Sequence, residues 1–246
     1  MIAITRGVAR TIQNAELTYQ ERQRIDYETA AAQHRQYVEV LESLGCTVIE
    51  LPADDAYPDC VFIEDTAIVL DDVAVITRPG AESRRGETRA VAEALAQYRR
   101  LVHIEAPATI DGGDVLVLDD RIYVGLSTRT NEEALAQLRS RTGREVIPVD
   151  VTGALHLKTA ITRVSRDTLL VRGEWLDVSP FAGWTLLEAE EPNALLVGDV
   201  VIYPSAYPET AALLRSRGID VRTVDASELA KAEGGVTCSC LLFGVR

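Results

Sequence analysis

A chain of 246 residues that is 47% hydrophobic and 26% charged can bury one large core, and length alone allows two domains. Its formal net charge of −13 argues against a nucleic-acid partner, which would call for clustered Lys and Arg, and is compatible with a small cationic substrate. Met1 to Arg6 carries no basic region ahead of an apolar stretch, and no apolar run approaches the ~18 residues of a membrane span, so a cytoplasmic protein with no membrane partner is expected.

In chain order, Ile2 to Arg6 reads as a strand and Tyr19 to Leu44 as a long helix, with Ile25, Ala32, Tyr37, Val40, Leu41 and Leu44 near one stripe. Gly45 ends the helix, Cys46 to Leu51 alternates like a strand, and Asp54, Asp55 and Pro58 make a loop. A pattern then recurs. Ala67 to Thr77 is a hairpin turning at Asp71-Asp72, followed by a helix from Gly86 to Tyr98 and a strand from Leu101 to Ile104. The same order returns at Val115 to Val124, Asn131 to Ser140 and Glu145 to Val149, and again at Ala194 to Tyr203, Glu209 to Arg217 and Ile219 to Val224. A weaker copy covers Ile161 to Asp177. Repeats of this size cannot bury their apolar faces alone and must stack. The leftover pieces, Leu241 to Val245 with Ile2 to Leu51, make a fifth copy split across the termini. The expectation is an α/β fold, a closed ring of five repeats, with residues 1–246 as a single domain. A doubly wound sheet is the alternative, disfavoured by the paired β-runs and the lack of a GxGxxG stretch.

Three kinds of stretch could carry chemistry. Asp59, Glu64 and Asp65 either cap turns on a solvated face or wait for a cation. Asp111-Gly112-Gly113-Asp114 allows a sharp turn between carboxylates, and His156 lies between two leucines on what reads as a short strand. Gly234-Gly235-Val236-Thr237-Cys238 presents a cysteine after a flexible turn, beside an apolar run. Cys238 and Cys240 read equally as small buried residues of a terminal strand. The four cysteines do not form a disulfide framework, and Cys238-Ser239-Cys240 with a histidine could bind zinc, although a lone CxC does not specify a site. Together, a cysteine, a histidine and a carboxylate supply a nucleophile, a proton carrier and an orienting group.

The stretches LPADDAYPDCVFIEDTAIV at 51–69, ITRPGAESRR at 76–85, IDGGDVL at 110–116, VGLSTRTN at 124–131, LHLK at 155–158 and VTC at 236–238 resemble the dimethylarginine dimethylaminohydrolases. These belong to the guanidine-modifying superfamily of five-bladed α/β propellers. The resemblance implies hydrolysis of methylated arginines to citrulline, with Cys238 as nucleophile, His156 as general acid and base and Asp111 as its orienting carboxylate. It further implies Asp59, Glu64 and Asp65 around the guanidinium, Arg84 and Arg129 on the α-carboxylate, and Leu17 and Ala232 at the entrance. No metal or other cofactor is implied, and the expected partner is the small-molecule substrate, with the chain a monomer or homodimer. The Ser239-Cys240 pair after the nucleophile departs from the family pattern and leaves open whether a second thiol or zinc has a role. An arginine deiminase or amidinotransferase would share the same residues, and a ribosome-binding propeller would share the fold without them.

Overall fold

Alternation along the strand Ile2–Arg6 sends Ile2 and Ile4 into one apolar cluster and Ala3 into another, so this segment is covered on both faces. The computed structural model describes residues 1–244. Among them lie five three-stranded sheets, each with an antiparallel strand pair, a hairpin in four of them, whose middle strand pairs in parallel with a third. One sheet contains Ala67–Val69, Val73–Ile76 and Arg100–His103; the next contains Val115–Leu118, Arg121–Leu126 and Glu145–Asp150. The third contains Ile161–Arg163, Thr168–Val171 and Thr185–Glu188, and the fourth Leu195–Val197, Val200–Pro204 and Asp220–Val224. The last sheet joins Leu241–Phe243 to Ile2–Arg6 and Thr47–Leu51, with Ile4 opposite Leu241 on one side and Ile49 on the other. The expected terminal run reached Val245, which lies outside the described residues.

The parallel third strand needs a crossover, and four sheets use a helix for it: Thr88–Leu95, Glu132–Thr142, Pro208–Ser216 and Tyr27–Ser43. The third sheet crosses over through two single 3-10 turns instead, Gly173–Trp175 and Ser179–Phe181, so its last strand falls at Thr185–Glu188, beyond the weak repeat read from the sequence.

The long helix begins at Tyr27 rather than at Tyr19. Asp26 caps it, its side chain accepting the Thr29 N–H at 2.8 Å, and of the preceding run Ile25 packs in an apolar cluster from outside the helix while Tyr19 to Arg24 stay exposed. Ala30, Gln33, His34, Tyr37 and Leu41 form its buried face, with Ala32 and Val40 only half-buried. The helix expected from Gly86 is shortened to Thr88–Leu95 by a 3-10 stretch at Glu82–Glu87 that carries Arg84.

Consecutive sheets share apolar clusters. Val75, Ile110, Ile122 and Leu138 join the first two sheets, Leu118, Leu157, Leu169 and Phe181 the second and third, and Leu170, Leu187, Val201 and Leu214 the third and fourth. Leu41, Ile202 and Val236 link the fourth to the terminal sheet, which meets the first through Ile4, Ile76, Leu95 and Leu241.

Ile4 is fully buried where the two ends of the chain meet. Truncation to alanine removes buried methyls and leaves a cavity, so Ile4→Ala should lower stability by about 2–5 kcal/mol. Glu50→Gln, exposed on the neighbouring strand, should stay within about 0.5 kcal/mol. Urea denaturation of the two variants checks both values.

Candidate active site

The loop that carries Cys238 is fixed from three sides. Past the short helix Ser227–Ala230 the chain turns through Glu233, at φ 60°, and closes a tight turn in which the Cys238 N–H donates to the Gly235 carbonyl. The Gly235 N–H in turn points at the Cys238 Sγ, 3.3 Å away. A Cβ on Gly235 would stand 2.3 Å from the Asn193 Oδ1, so the close approach of these two segments demands glycine. Asn193 uses that proximity: its Oδ1 accepts the Thr237 N–H, and its Nδ2 donates to the Thr237 hydroxyl and to the Lys158 carbonyl, each at 3.0 Å. The Thr237 hydroxyl donates to the Glu64 Oε2, and the Glu64 N–H donates to the Cys238 carbonyl.

His156 occupies an extended position just before the one-turn helix Leu157–Ala160, rather than lying on a strand. Asp114 holds that turn through the Leu157 N–H, and its second oxygen takes the Ser127 and Thr130 hydroxyls. The imidazole is flanked by carboxylates, its Nε2 lying 3.1 Å from the Asp111 Oδ2 and its Nδ1 3.9 Å from the Asp65 Oδ1. Gly113 leaves room for the ring: a Cβ there would be 2.7 Å from the Nδ1. Asp111 is itself oriented by the Gly80 N–H at 2.8 Å.

Burial disfavours the charged imidazole, but Asp65, Asp114 and Asp111 outweigh it and raise the His156 pKa to about 9. Burial raises Asp114 to about 6, opposed by His156 and the two hydroxyls. Asp65 is also disfavoured by burial, yet His156 and Arg84 bring its pKa below the usual carboxylate range. The Cys238 thiol is pushed far up by burial, and by Glu64 and Asp65 after it. These shifts favour a neutral thiol and a protonated imidazole in the same cleft.

Cys238 and His156 line one narrow cleft with Glu16, Asp59, Asp65, Arg84, Arg129, Ala232 and Glu233. Its free volume is about 20 Å³, enough for a water molecule but not for an amino acid. The segment after Ala15 covers it. The backbone N–H groups of Thr18, Tyr19 and Gln20 all donate to the Glu233 carboxylate, and Arg129 donates to the Thr18 hydroxyl at 3.2 Å. Asp65, Asp111 and His156 also offer atoms within 4.8 Å of one another, a spacing that could receive a cation. Arg84 already occupies the Asp65 Oδ2 at 2.6 Å, so the group's charge is partly answered by the protein.

The family model described as N,N dimethylarginine dimethylhydrolase, eukaryotic, matches residues 8–179. The N(G),N(G)-dimethylarginine dimethylaminohydrolase of Streptomyces coelicolor is 40% identical over 244 residues, spanning 96% of this chain and 94% of its own. The chain belongs to the dimethylarginine dimethylaminohydrolase family. The Pseudomonas aeruginosa dimethylarginine dimethylaminohydrolase is 36% identical over 228 residues, 89% of this chain and 90% of its own. A solved structure of that enzyme, a mutant complexed with citrulline, has a TM-score of 0.93 and 36% identity, covering 98% of each chain.

Against this dimethylaminohydrolase frame, two of the residues expected to meet substrate are placed differently. Glu64 does not line the cleft: its Oε1 takes Lys158 at 2.6 Å and its Oε2 takes Thr237, and it borders the separate cavity beneath. A part-buried lysine and a buried hydroxyl leave it bracing the Cys238 loop. Leu17 is half-buried between Glu16 and Thr18, outside the cleft lining. Arg84 is on the cleft wall but heavily engaged, with Glu87 and Asp65 as ion pairs and the Asp59 and Phe62 carbonyls on its Nη2. Asp59 accepts the Glu16 N–H on both oxygens. Asn193 and Glu233 were missed as contributors to the site. One follows a Glu-Glu-Pro run that reads as loop, the other ends a helix, and both act only through partners distant in the chain.

Two expectations follow. The raised thiol predicts slow alkylation of the free protein by iodoacetamide at pH 7 and a rate that climbs through pH 9 without levelling, measured by loss of free Cys238 in mass spectra. A plateau below pH 7 would show a standing thiolate instead. Asn193→Ala leaves the Thr237 N–H and the Lys158 carbonyl unpaired, at about 1–3 kcal/mol for each buried group. It should lower stability in denaturant titration and lower kcat more than it alters KM.

Proposed function

We propose that this chain hydrolyses Nω-methylated arginines to citrulline and methylamine or dimethylamine through a covalent intermediate on Cys238. The observation that carries the reading is the meeting, in one cleft, of Cys238, the carboxylate-flanked His156, the acids Asp59 and Asp65, and Arg129. We further propose that the five sheets close into a five-bladed propeller with one blade split across the termini, forming a single catalytic domain. The apolar clusters that link each sheet to the next, and the terminal sheet to the first, support that closure.

A guanidinium is a poor electrophile, so the site must hold its nitrogens and leave the central carbon open. Asp65 has lone pairs to spare beyond Arg84 and the Gly113 N–H, and Asp59 lines the same cleft as a second acid for the guanidinium nitrogens. Arg129 takes the α-carboxylate, with the Arg84 Nη1 hydrogen that Asp65 does not use. Both require Thr18, Tyr19 and Gln20 to swing off Glu233, because the closed cleft is too small for the substrate.

Arrival of a cation beside Cys238 offsets the acids that hold the thiol protonated, and the thiol gives its proton to solvent. The thiolate adds to the guanidinium carbon. His156, held as the imidazolium, transfers its proton to the departing alkylamine as the C–N bond breaks, leaving a thiouronium on sulfur. Water then adds to the same carbon, neutral His156 takes its proton, and the C–S bond breaks to release citrulline. Asp111 keeps the ring oriented throughout.

A dimethylated nitrogen has no hydrogen to donate, so arginine would bring two unmet donors to the same spot, at about 1–3 kcal/mol. Monomethylarginine and asymmetric dimethylarginine should exceed arginine and symmetric dimethylarginine by at least ~100-fold in kcat/KM, or about 2.7 kcal/mol. Citrulline formation from the four compounds measures this, and arginine turning over as fast as the methylated forms would make the chain a deiminase. Cys238→Ser should abolish turnover while Cys60→Ser retains it.

A further inference from the structure

Beyond the catalytic cleft, on the other side of Leu155 and the Glu233–Gly235 turn, lies a larger cavity of about 430 Å³. Tyr19, Trp175 and Tyr207 are among its walls, and Glu191 and Glu233 are its charged lining residues. Among the described residues, no lysine or arginine side chain lines it. The Glu233 carboxylate is taken up by the covering segment, so Glu191 is the anion left to answer. Its Oε1 accepts the Asn193 N–H at 3.1 Å, and among the described residues nothing donates a hydrogen bond to its Oε2. Burial pushes the carboxyl up to about 7, against the Asn193 N–H and Arg172, with Glu190 adding to the rise. Arg172 does not fill the need: it stacks on the Trp175 ring at 3.9 Å and pairs with Glu174 at 2.6 Å.

We propose that this cavity is a second ligand site, which binds an organic cation with an apolar body, an amine on a hydrocarbon chain or ring, through Glu191 and the aromatic walls. An aromatic wall attracts a cation through its ring face and an apolar body through burial, and a half-satisfied carboxylate supplies the directional contact. The occupant would touch the covering segment at Tyr19 and Gln20 together with the turn that leads to Cys238, and the site stands independently of the chemistry assigned to the cleft.

The probe is 2-phenylethylammonium, titrated into the full chain labelled with nitrogen-15 and followed through its two tryptophan indole signals, assigned with Trp184→Phe. The expected result is a saturable shift of the Trp175 signal with the Trp184 signal unmoved, a midpoint at millimolar concentration or below, and at least tenfold weaker binding in Glu191→Gln. That variant keeps an acceptor for Asn193, and its unperturbed spectrum elsewhere confirms folding. The neutral 2-phenylethanol should bind at least tenfold less tightly. No saturable shift at ~20 mM, equal binding to Glu191→Gln, or equal binding of the alcohol would each overturn the proposal. A cation bound only in the catalytic cleft would show itself as binding that Glu191→Gln leaves unchanged.

Discussion

The arrangement depends on a dense set of charges taken out of water together. Asp65, Asp111, Asp114, His156, Arg84 and Glu87 are all buried, and each has a partner of opposite sign or a hydrogen-bond donor. Losing one member of such a set exposes the rest to an uncompensated burial, at about 3–5 kcal/mol for a buried pair. The carboxylates around His156 favour its protonated form against that desolvation, whereas burial itself favours the neutral Cys238 thiol.

The fold delivers these groups by repetition. Asp65 and Thr66 precede the first hairpin, Asp111 to Asp114 the second, His156 and Lys158 the third, Asn193 the fourth, and Cys238 the strand that pairs with Ile2–Arg6. Each sheet therefore contributes the segment leading into its first strand, and the apolar clusters between sheets fix their spacing. Cross-links between these segments, Asn193 to Thr237 and Lys158 and Glu64 to both, tie the Cys238 loop to the His156 loop.

Hairpins were legible because apolar alternation breaks at turn residues: Asp119 and Gly198, both at positive φ, sit where the sequence places acidic or glycine turns. The strand Thr185–Glu188 was not, since its crossover contains no helix to mark the repeat. The helix start moved because a polar run without a cap looks helical on composition, while Asp26 supplies the actual N-cap. At the site, residue type pointed to Cys238, His156 and Asp111, whose chemistry is local. Glu64, expected around a guanidinium, carries Lys158 and Thr237 on its oxygens, partners distant in the chain that residue type does not announce. Asn193 left no trace in the sequence, as its role is a contact across 44 positions of the chain.

Three consecutive backbone N–H groups converge on Glu233, so in this arrangement the carboxylate at the entrance is answered by peptide dipoles and not by a cation. Its negative charge therefore stays at the mouth beside Glu16 and Asp59. Were the segment to move off, as the proposed substrate entry requires, the same step that makes room for a cation would strip those dipoles away and strengthen the field that draws it in. Access and attraction would then be one motion.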